Sequence, residues 1–326
     1  MLKTLAVIGL GSIAKRHVNN LRQLHPKAQI YAVSASGTNT TLPENADAVI
    51  SLDDLIALVP DYAVVASPAP FHVDIAQKLL VHNIAVLIEK PLAHELQSCL
   101  EFQAFCNQFP RKAVAVGYCL RFLPSALVVK DYLDRGLLGS IYNVHANVGQ
   151  YLPSWRADKS YKDSVSASKS LGGGALLELS HELDYLNWLL GDLTLEHSFL
   201  RTTDELELEV EDIANLVLLS TNNVYVSVHL DFIQKSTQRN CEFIGRYGRL
   251  VWDLLANTVI LHNATGKETL YTEPGYNKND MYLAMLTAFE NMHQDKESQL
   301  ATLASATKVV RLIDDVKQQN ALRQQA

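Results

Sequence analysis

The first third of the chain alternates between short apolar runs and stretches with helical spacing of apolar residues. The apolar runs predict strands over residues 5–8, 29–34, 62–66, 84–88 and 113–117. The helical patterns that follow three of them cover residues 15–24, 72–82 and 94–106. The runs 63–66 and 85–88 contain no polar position, which is typical of parallel strands buried on both faces. This alternation predicts an α/β protein that begins with a doubly wound parallel sheet.

The pattern changes after Gly117. Helices are predicted from Pro124 to about Arg135 and over 175–190, with a strand over 141–148 between them. Stretches rich in β-formers follow at residues 215–219, 224–228 and 259–261, and two helices end the chain at 279–292 and 299–317. We therefore expect a first domain over 1–119 and a C-terminal α+β domain over 120–326 with an open, largely antiparallel sheet. The C-terminal helices can pack back on the first domain.

The length and composition support this division and exclude several classes of protein. A chain of 326 residues usually forms two hydrophobic cores, and its 48% apolar and 19% charged residues exclude a disordered or fibrous chain. The net charge is −7 and no segment concentrates Lys and Arg, so we expect no nucleic-acid partner. No uncharged stretch is apolar enough to span a bilayer, so we expect no membrane partner. Four cysteines without a C-x-x-C pair indicate reduced thiols in a cytoplasmic protein, and no His or Cys cluster has metal-site spacing.

A glycine-rich turn joins the first predicted strand to the first helix. In this turn Gly9 permits a tight bend, Gly11 lets the backbone approach a pyrophosphate, and Ala14 lets the helix pack closely on the strand. The amides at Ser12 and Ile13, where the helix begins, would hold the anion. A G-x-G-x-x-A sequence between a strand and a helix therefore predicts a dinucleotide site.

The end of the second strand bears on the choice of cofactor. An NAD enzyme usually places an Asp or Glu there against the ribose hydroxyls, whereas this chain has Ser34-Ala35-Ser36-Gly37-Thr38. Ser34, Ser36 and Thr38 can donate hydrogen bonds to a 2′-phosphate, and no carboxylate repels it. Because no Arg follows that could pair with a 2′-phosphate, NADP is favoured only weakly over NAD. The expected cofactor is therefore NAD(P), with a weak preference for NADP.

Two further loops lie just beyond the carboxyl ends of predicted strands, where open α/β sheets bind ligands. One contains Ser67-Pro68, and the other contains Glu89-Lys90-Pro91. The second loop places an anion and a cation at a strand end, beside a proline that can be cis. The alternative is a surface ion pair next to a loop proline.

A long stretch without regular pattern, residues 151–173, is interpreted as a binding loop or lid. On the helix predicted after it, four polar residues share the face opposite a stripe of leucines: Glu178, His181, Glu182 and Tyr185. Asp184 flanks His181. A carboxylate three residues from a histidine suits general acid–base chemistry, because it fixes the tautomer and raises basicity. The alternative is the solvated polar face of an amphipathic helix.

Taken together, these motifs resemble the glucose-fructose oxidoreductase, inositol dehydrogenase and MocA family (Gfo/Idh/MocA). Four landmarks match in order: the turn Gly9–Ala14 with His17, Glu89-Lys90-Pro91, Gly117 through Arg121-Phe122-Leu123-Pro124, and Gly172-Gly173-Gly174 running into His181-Glu182-Leu183-Asp184. They span nearly the whole chain. The resemblance implies an N-terminal Rossmann domain, an open-sheet C-terminal domain, and nicotinamide-dependent oxidation or reduction of a sugar or polyol carbon.

The resemblance also implies roles for particular residues. Lys90 would lie near the nicotinamide and stabilise alkoxide charge on the reacting hydroxyl, and His181 would act as the acid or base, with Asp184 three residues on. The family usually has an Asp four residues before that histidine, whereas Glu178 lies three before it here, so Glu178 and Glu182 are both candidate partners. The expected cofactor contacts are Gly9, Gly11, Ser12, Ile13, Ser34, Ser36, Ser67, Pro68, His72, Glu89 and Lys90.

The expected substrate contacts are Lys90, Arg121, Trp155, Arg156 and His181. His72 and Arg121 would line the same cleft, although either can instead be hydrogen-bonded framework. The stretch 151–156, with Tyr161 and residues 164–167, looks like a subgroup associated with bacterial surface-sugar biosynthesis, so the expected substrate is a nucleotide-linked or amino sugar. An aromatic face with Arg156 suits stacking on a ring and pairing with a phosphate or carboxylate. Alternatively, Trp155 and Arg156 only fix the loop in place.

Two other functions are also compatible with these sequence motifs. The same cofactor can oxidise a sugar transiently during glycosidic cleavage or elimination and be regenerated, which a sequence does not separate from a dehydrogenase. A non-enzymatic dinucleotide sensor would need neither Lys90 nor His181. A broad sheet face is a common surface for self-association, so we also expect a homo-oligomer, a dimer or tetramer, through the C-terminal sheet.

Overall fold

The computed structural model describes residues 2–34, 37, 41–110, 113–155, 160–292 and 299–325. The chain divides into two compact units. The first comprises Met1–Cys119 and Asn279–Thr307, and the second comprises Leu120–Lys278 and Lys308–Ala326. The C-terminal region therefore contributes to both units, and the two are described separately below.

The first unit is built on a parallel sheet of six strands: β1 (Thr4–Ile8), β2 (Gln29–Val33), β3 (Ala48–Ile50), β4 (Tyr62–Val65), β5 (Ala85–Glu89) and β6 (Val114–Gly117). Its helices from the N-terminal part of the chain are α1 (Ser12–Leu24), α2 (Leu52–Leu58), α3 (His72–Val81) and α4 (Leu96–Cys106). The strand order is β3-β2-β1-β4-β5-β6. Every residue of β4 is buried, as expected for a strand that is apolar on both faces. The order reverses between β1 and β4, and ligands bind parallel sheets at such a reversal, beyond the carboxyl ends of the strands.

The second unit is built on a sheet of eight strands: β7 (Ile141–Gly149), β8 (Leu193–Arg201), β9 (Ile213–Ser220), β10 (Tyr225–Asp231), β11 (Gln238–Gly245), β12 (Gly248–Asp253), β13 (Thr258–Asn263) and β14 (Gly266–Thr272). The strand order is β14-β13-β12-β11-β7-β10-β9-β8, and all neighbours are antiparallel except β7 and β10. Its helices include α5 (Pro124–Asp134), α6 (Ala175–Glu178) and α7 (His181–Leu190). Buried residues alternate with more exposed ones along β7, β9 and β10, because α6 and α7 pack on one face of the sheet.

Two helices end the chain, α8 (Asp280–Glu290) and α9 (Leu303–Gln325). Helix α8 belongs to the first unit, and the division between the units falls within α9. The carboxylate of Glu290, at the end of α8, accepts hydrogen bonds from Tyr62 Oη at 2.7 Å and from His25 Nε2 at 2.8 Å. These bonds fix α8 to the end of α1 and to the start of β4.

The predicted fold class is confirmed: a doubly wound parallel sheet is followed by a largely antiparallel one. The predicted single helix over 175–190 is wrong, because the helix is interrupted at Leu179 and Ser180. No proline or glycine lies between residues 175 and 190, so the local sequence gives no signal for the break. The spacing of apolar and polar residues does not predict six of the elements: α2, β3, β8, β11, β12 and β14.

Three further properties concern the described residues alone. No helix among them combines the length and apolar character needed to cross a membrane. No group of three His, Cys, Asp or Glu side chains in that part of the chain could hold a metal ion. None of the four cysteines, all of which are described, forms a disulfide, and Cys99, Cys119 and Cys241 are buried.

Candidate functional site

The turn after β1 requires glycine at Gly9 for two independent reasons. The first reason is its backbone φ of +122°, which residues with a side chain strongly disfavour. This conformation is fixed by the amide of Gly9, which donates a hydrogen bond to the carbonyl of Val33 at 2.8 Å. The second reason is the close approach of another loop. A Cβ added at Gly9 would lie 2.4 Å from the carbonyl oxygen of Ala66. The chain leaving β1 is therefore pressed against the loop that follows β4.

Gly11 differs from Gly9, because the protein itself does not require a glycine there. Its φ is −74°, and a Cβ added to it would meet no atom within 4 Å. Gly11, Ser12 and Ile13 are exposed or partly exposed, and Ala14 is buried against the sheet. The start of α1 carries no side-chain cap and no acidic residue in its first turn, so its amides are available to an anion. This open cradle at a helix N-terminus fits the pyrophosphate of a dinucleotide.

Alanine substitutions at the two glycines should have different effects. We expect Gly9→Ala to destabilise the first unit by about 1–3 kcal/mol, through the strained φ and the clash with Ala66, and so to lower the melting temperature. Gly11→Ala should leave the melting temperature close to that of the wild type and weaken NADH binding, because its methyl group occupies the cradle. Differential scanning calorimetry and NADH fluorescence titration test both. Equal melting temperatures for the two variants would contradict this account.

The loop after β2 lies at the same edge of the sheet. Ser34 follows Val33 directly and is partly exposed. Ser36 and Thr38, predicted with it to contact a 2′-phosphate, lie outside the described residues.

His72, at the start of α3, fixes the loop after β4 to the loop after β5. The ring is buried, with Nδ1 at 2.9 Å from the carbonyl oxygen of Pro91 and Nε2 at 2.7 Å from the carbonyl oxygen of Ser67. Burial lowers the pKa of His72, although both backbone carbonyls favour the protonated ring. Because both ring nitrogens are engaged, His72 offers neither to a cofactor or substrate. His72 positions Ser67 and Pro68, which favours the alternative that this residue belongs to the hydrogen-bonded framework of the cleft.

Glu89 and Lys90 end β5 and begin the loop after it, and the Lys90–Pro91 peptide is cis. The alternative of a surface ion pair is wrong for Glu89, because its carboxylate is buried and lies 2.6 Å from His17 Nε2. Lys90 is partly exposed at the carboxyl edge of the sheet. Strand β5 is the second neighbour of β1 in the sheet, so Lys90 and the glycine turn lie at one edge.

In the second unit, Glu178 ends α6 and His181 begins α7. Both residues are partly exposed, whereas Glu182, Asp184 and Tyr185 are buried. The alternative of a solvated polar face is therefore wrong for this helix. The interruption at residues 179–180 also means that Glu178 and His181 do not share one continuous helix, as the predicted periodicity required.

Asp184 pairs with Arg121. Its two oxygens accept hydrogen bonds from Arg121 Nε at 2.8 Å and Nη2 at 2.6 Å. Both side chains are buried, at 2% and 5% exposure. Burial raises the pKa of Asp184, and the charge of Arg121 opposes that rise without cancelling it. The two residues thus form a buried ion pair that ties α7 to the segment preceding α5, and the catalytic role of Asp184 and the substrate contact of Arg121 stay predictions.

Sequence reasoning missed two interactions around α6 and α7. Glu182 is fully buried and accepts hydrogen bonds from Arg239 Nε at 2.7 Å and Nη2 at 2.9 Å, which ties α7 to β11. Glu211 accepts the amide proton of Leu176 at 3.1 Å and so fixes the start of α6. A Cβ at Gly174 would lie 2.4 Å from Glu211, which explains the last glycine of the run. The partners lie 57 and 35 residues apart, so no local pattern signals either pair.

The predicted binding loop is held by its own unit through its aromatic residues. Trp155 packs edge-on against Phe232 with ring centroids 5.4 Å apart, and Tyr151 lies under the ammonium of Lys235 at 3.5 Å. Leu152, Trp155 and Tyr161 line a common cavity. The contact with Phe232 favours the alternative in which Trp155 fixes the loop, and its contact with substrate stays a prediction. Arg156 lies outside the described residues.

Both units match sequence models of one family. Residues 3–118 match the GFO_IDH_MocA model, described as an oxidoreductase family with an NAD-binding Rossmann fold. Residues 127–251 match the model of the GFO/IDH/MocA C-terminal domain. The two matches together cover more than two thirds of the chain.

Individual proteins and structures are similar over different shares of their length. Inositol 2-dehydrogenase 1 of Saccharopolyspora erythraea is 28% identical over 274 residues, which is 80% of this chain and 77% of that protein. An uncharacterized oxidoreductase of Synechocystis is 30% identical over 195 residues, which is 58% of this chain and 51%, about half, of that protein. The structure of UDP-N-acetylglucosamine 3-dehydrogenase from Acidithiobacillus ferrooxidans is similar in fold, with a TM-score of 0.78 at 16% identity and 96% coverage of each chain. Levoglucosan dehydrogenase in complex with NADH gives a TM-score of 0.80 at 20% identity, covering 98% of this chain and 97% of that one.

Proposed function

Since the chain belongs to the Gfo/Idh/MocA family of oxidoreductases, we propose that it transfers a hydride between a carbinol carbon of a sugar or polyol and a nicotinamide cofactor. One observation supports this above the others. Gly11, with its open cradle, and Lys90 follow strands β1 and β5 at the same edge of one parallel sheet, two strands apart. An ammonium group at that edge stabilises negative charge on an oxygen of a molecule bound beside the dinucleotide.

The residues have separate roles in this proposal. When bound, NAD supplies the nicotinamide carbon that exchanges the hydride. Lys90 donates a hydrogen bond to the reacting hydroxyl and stabilises the charge that develops on its oxygen. His181 takes the hydroxyl proton during oxidation and returns it during reduction.

Glu178 is the carboxylate that we assign to His181. The other two carboxylates nearby in sequence each neutralise an arginine: Glu182 pairs with Arg239, and Asp184 pairs with Arg121. A carboxylate already paired with a guanidinium is a poor acceptor for a second cation. Glu178 lies three residues before His181, and both residues are partly exposed.

The names of similar proteins and of structures with the same fold support a substrate class. These names include inositol 2-dehydrogenase and UDP-N-acetylglucosamine 3-dehydrogenase, and we propose a nucleotide-linked or amino sugar for this chain. The test is a screen of UDP-N-acetylglucosamine, its uronic acid, myo-inositol and levoglucosan with NAD⁺, followed at the absorbance band of NADH. A dehydrogenase accumulates NADH with at least one of them. Consumption of a sugar without NADH accumulation would instead support cleavage or elimination with a recycled cofactor.

The preference between NAD and NADP follows from the residue after β2. Family membership supports an NAD-binding domain, and the absence of a carboxylate at Ser34 supports acceptance of NADP as well. We expect Ser34→Asp to lower the ratio of kcat/KM with NADP⁺ to that with NAD⁺ by about 10²-fold, because the new carboxylate repels the 2′-phosphate. Ser51→Asp, which places the same charge at the N-cap of α2, is the control and should leave the ratio unchanged. An unchanged ratio in Ser34→Asp would show that the 2′ position lies elsewhere.

We also propose that the protein self-associates through the face of the C-terminal sheet that α6 and α7 leave open. Val251 and Ile260 are cross-strand partners on that face, and Tyr225 is 46% exposed there. We expect Val251→Glu to shift the protein towards monomer in sedimentation velocity, because a charge in a sheet-to-sheet contact is left unpaired. The matched control is Leu322→Glu on α9, a residue 69% exposed. A monomeric wild type, or an unchanged oligomer in Val251→Glu, would contradict this interface.

A further inference from the structure

A buried histidine and a buried glutamate of the first unit are hydrogen-bonded to each other, and the glutamate directly precedes Lys90 in the chain. His17, on α1, is 0% exposed and Glu89, the last residue of β5, is 6% exposed. His17 Nε2 donates to Glu89 Oε1 at 2.6 Å. No step of the proposed reaction uses either group, so their burial as a pair needs another explanation.

The second oxygen of Glu89 binds Lys90 itself. Glu89 Oε2 accepts the backbone amide proton of Lys90 at 3.1 Å. On the neighbouring strand, Gly117 leaves the space that the carboxylate occupies, because a Cβ there would lie 3.3 Å from Glu89 Oε1. The carboxylate is thus held by His17 on one side and fixes the start of the Lys90 loop on the other.

An aromatic ring and a guanidinium surround this buried pair. The Tyr282 ring of α8 packs edge-on against the His17 ring, with centroids 6.1 Å apart, and the Arg16 guanidinium lies 4.7 Å from the Tyr282 centroid. Burial alone would raise the pKa of Glu89, but the hydrogen bond and charge of His17, with the charge and amide of Lys90, hold it below its ordinary value. An ionised carboxylate in this setting depends on His17 as its partner.

His17 belongs to the helix that would hold the cofactor phosphates. It lies five residues after Ser12, about 7.5 Å along the axis from the start of α1. Two consecutive hydrogen bonds, His17 to Glu89 and Glu89 to the Lys90 amide, therefore connect α1 to the backbone of Lys90.

We infer that His17 is a positioning residue that, through Glu89, fixes Lys90 relative to the helix that binds the dinucleotide. The ammonium group of Lys90 is thereby held at a fixed position relative to the cofactor. The inference rests on the proposed function, which places Lys90 at the reacting hydroxyl. It assigns His17 no contact with substrate or cofactor. Its removal should therefore affect turnover and leave cofactor affinity unchanged.

The first test measures the exposure of Lys90 and needs no substrate. Lys90 is labelled with acetic anhydride and followed by peptide mass spectrometry, with and without saturating NAD⁺. We expect NAD⁺ to protect Lys90 in the wild type and not in His17→Leu, while the NADH dissociation constant stays unchanged. His17→Gln, whose side-chain amide can still donate to Glu89, should regain the protection. If the wild type itself shows no protection, the proposed placement of Lys90 is wrong. If His17→Leu is folded and protected like the wild type, only the inference fails.

The second test uses the sugar that is turned over in the screen above. We expect His17→Leu to lower kcat by roughly 10²-fold with little change in the KM for NAD⁺, as a small misplacement of a reacting group does. In a Lys90→Met background the same substitution should have no further effect on kcat, because His17 acts through Lys90. A purely structural role would instead lower kcat by the same factor in both backgrounds.

The matched control is His25→Leu. His25 also bridges α1 to a glutamate, Glu290, but at the other end of the helix. It should lower the melting temperature without changing kcat or the protection of Lys90. Should His17→Leu not fold, the comparison of His17→Gln with Glu89→Leu decides: equal loss of protection in both would overturn the inference, and retention in His17→Gln alone supports it.

Discussion

Replacing His181 with alanine is expected to lower kcat/KM by roughly 10²–10⁴-fold, the usual contribution of a general acid or base. His181 begins α7, and it is partly exposed while the helix around it is buried. The neighbouring carboxylates of Glu182 and Asp184 are bound by arginines. Added imidazole should restore part of the activity of His181→Ala, because the variant lacks only the proton acceptor. Steady-state kinetics with and without imidazole measure both effects.

A histidine of the same unit provides the control for this experiment. His229 lies 2.7 Å from Asp231 on β10 and so also pairs with a carboxylate, away from α7. His229→Ala should retain the kcat/KM of the wild type and gain nothing from imidazole. If His181→Ala kept wild-type activity with unaltered NADH binding, another group would have to move the proton.

Breaking the Arg121–Asp184 pair is expected to cause the largest loss of stability. Replacing Arg121 with methionine leaves the carboxylate of Asp184 buried without its partner, which costs about 3–5 kcal/mol. The loss should depend on pH. Burial already raises the pKa of Asp184 in the folded protein, so its ionisation costs stability as the pH rises through that value, and removal of Arg121 raises the pKa further. Urea unfolding should therefore show a greater loss at neutral pH than under acid conditions.

The double variant Arg121→Met with Asp184→Leu separates charge from packing. Without either charge, most of the lost stability should return, because apolar groups of similar size can replace a buried ion pair. Asp184→Leu alone should be as unstable as Arg121→Met alone. A double variant with the summed loss of the two single variants would show that packing, and not the ion pair, is responsible.

Much of the first unit could be predicted because its signals are local. The run before Gly9, the turn to Ala14 and the spacing of α1 lie within 20 consecutive residues, and they give strand, turn and helix correctly. The oxidoreductase family was also predicted from the order of such motifs, and it is confirmed by the matches over residues 3–118 and 127–251. The strand-end location of Lys90 follows from the same local pattern.

The partners of the charged residues could not be predicted, because they are distant in sequence. Asp184 finds Arg121 across 63 residues and Glu89 finds His17 across 72. Periodicity placed Glu178 and His181 on one helical face, but the helix breaks at residues 179–180, where Glu211 and the sheet fix α6 independently of α7. Proximity in sequence therefore predicts contacts with substrate or cofactor for Asp184 and Glu89, whereas in the fold their carboxylates are bound by Arg121 and His17.

The most direct test of hydride transfer follows an isotope. A sugar from the screen, carrying deuterium on the carbinol carbon, is incubated with the protein and NAD⁺, and the reduced cofactor is analysed by mass spectrometry. The account predicts one deuterium atom in each NADH formed and a slower reaction than with the unlabelled sugar. Deuterium that remains in the sugar product or exchanges into water, without deuterated NADH, would contradict it.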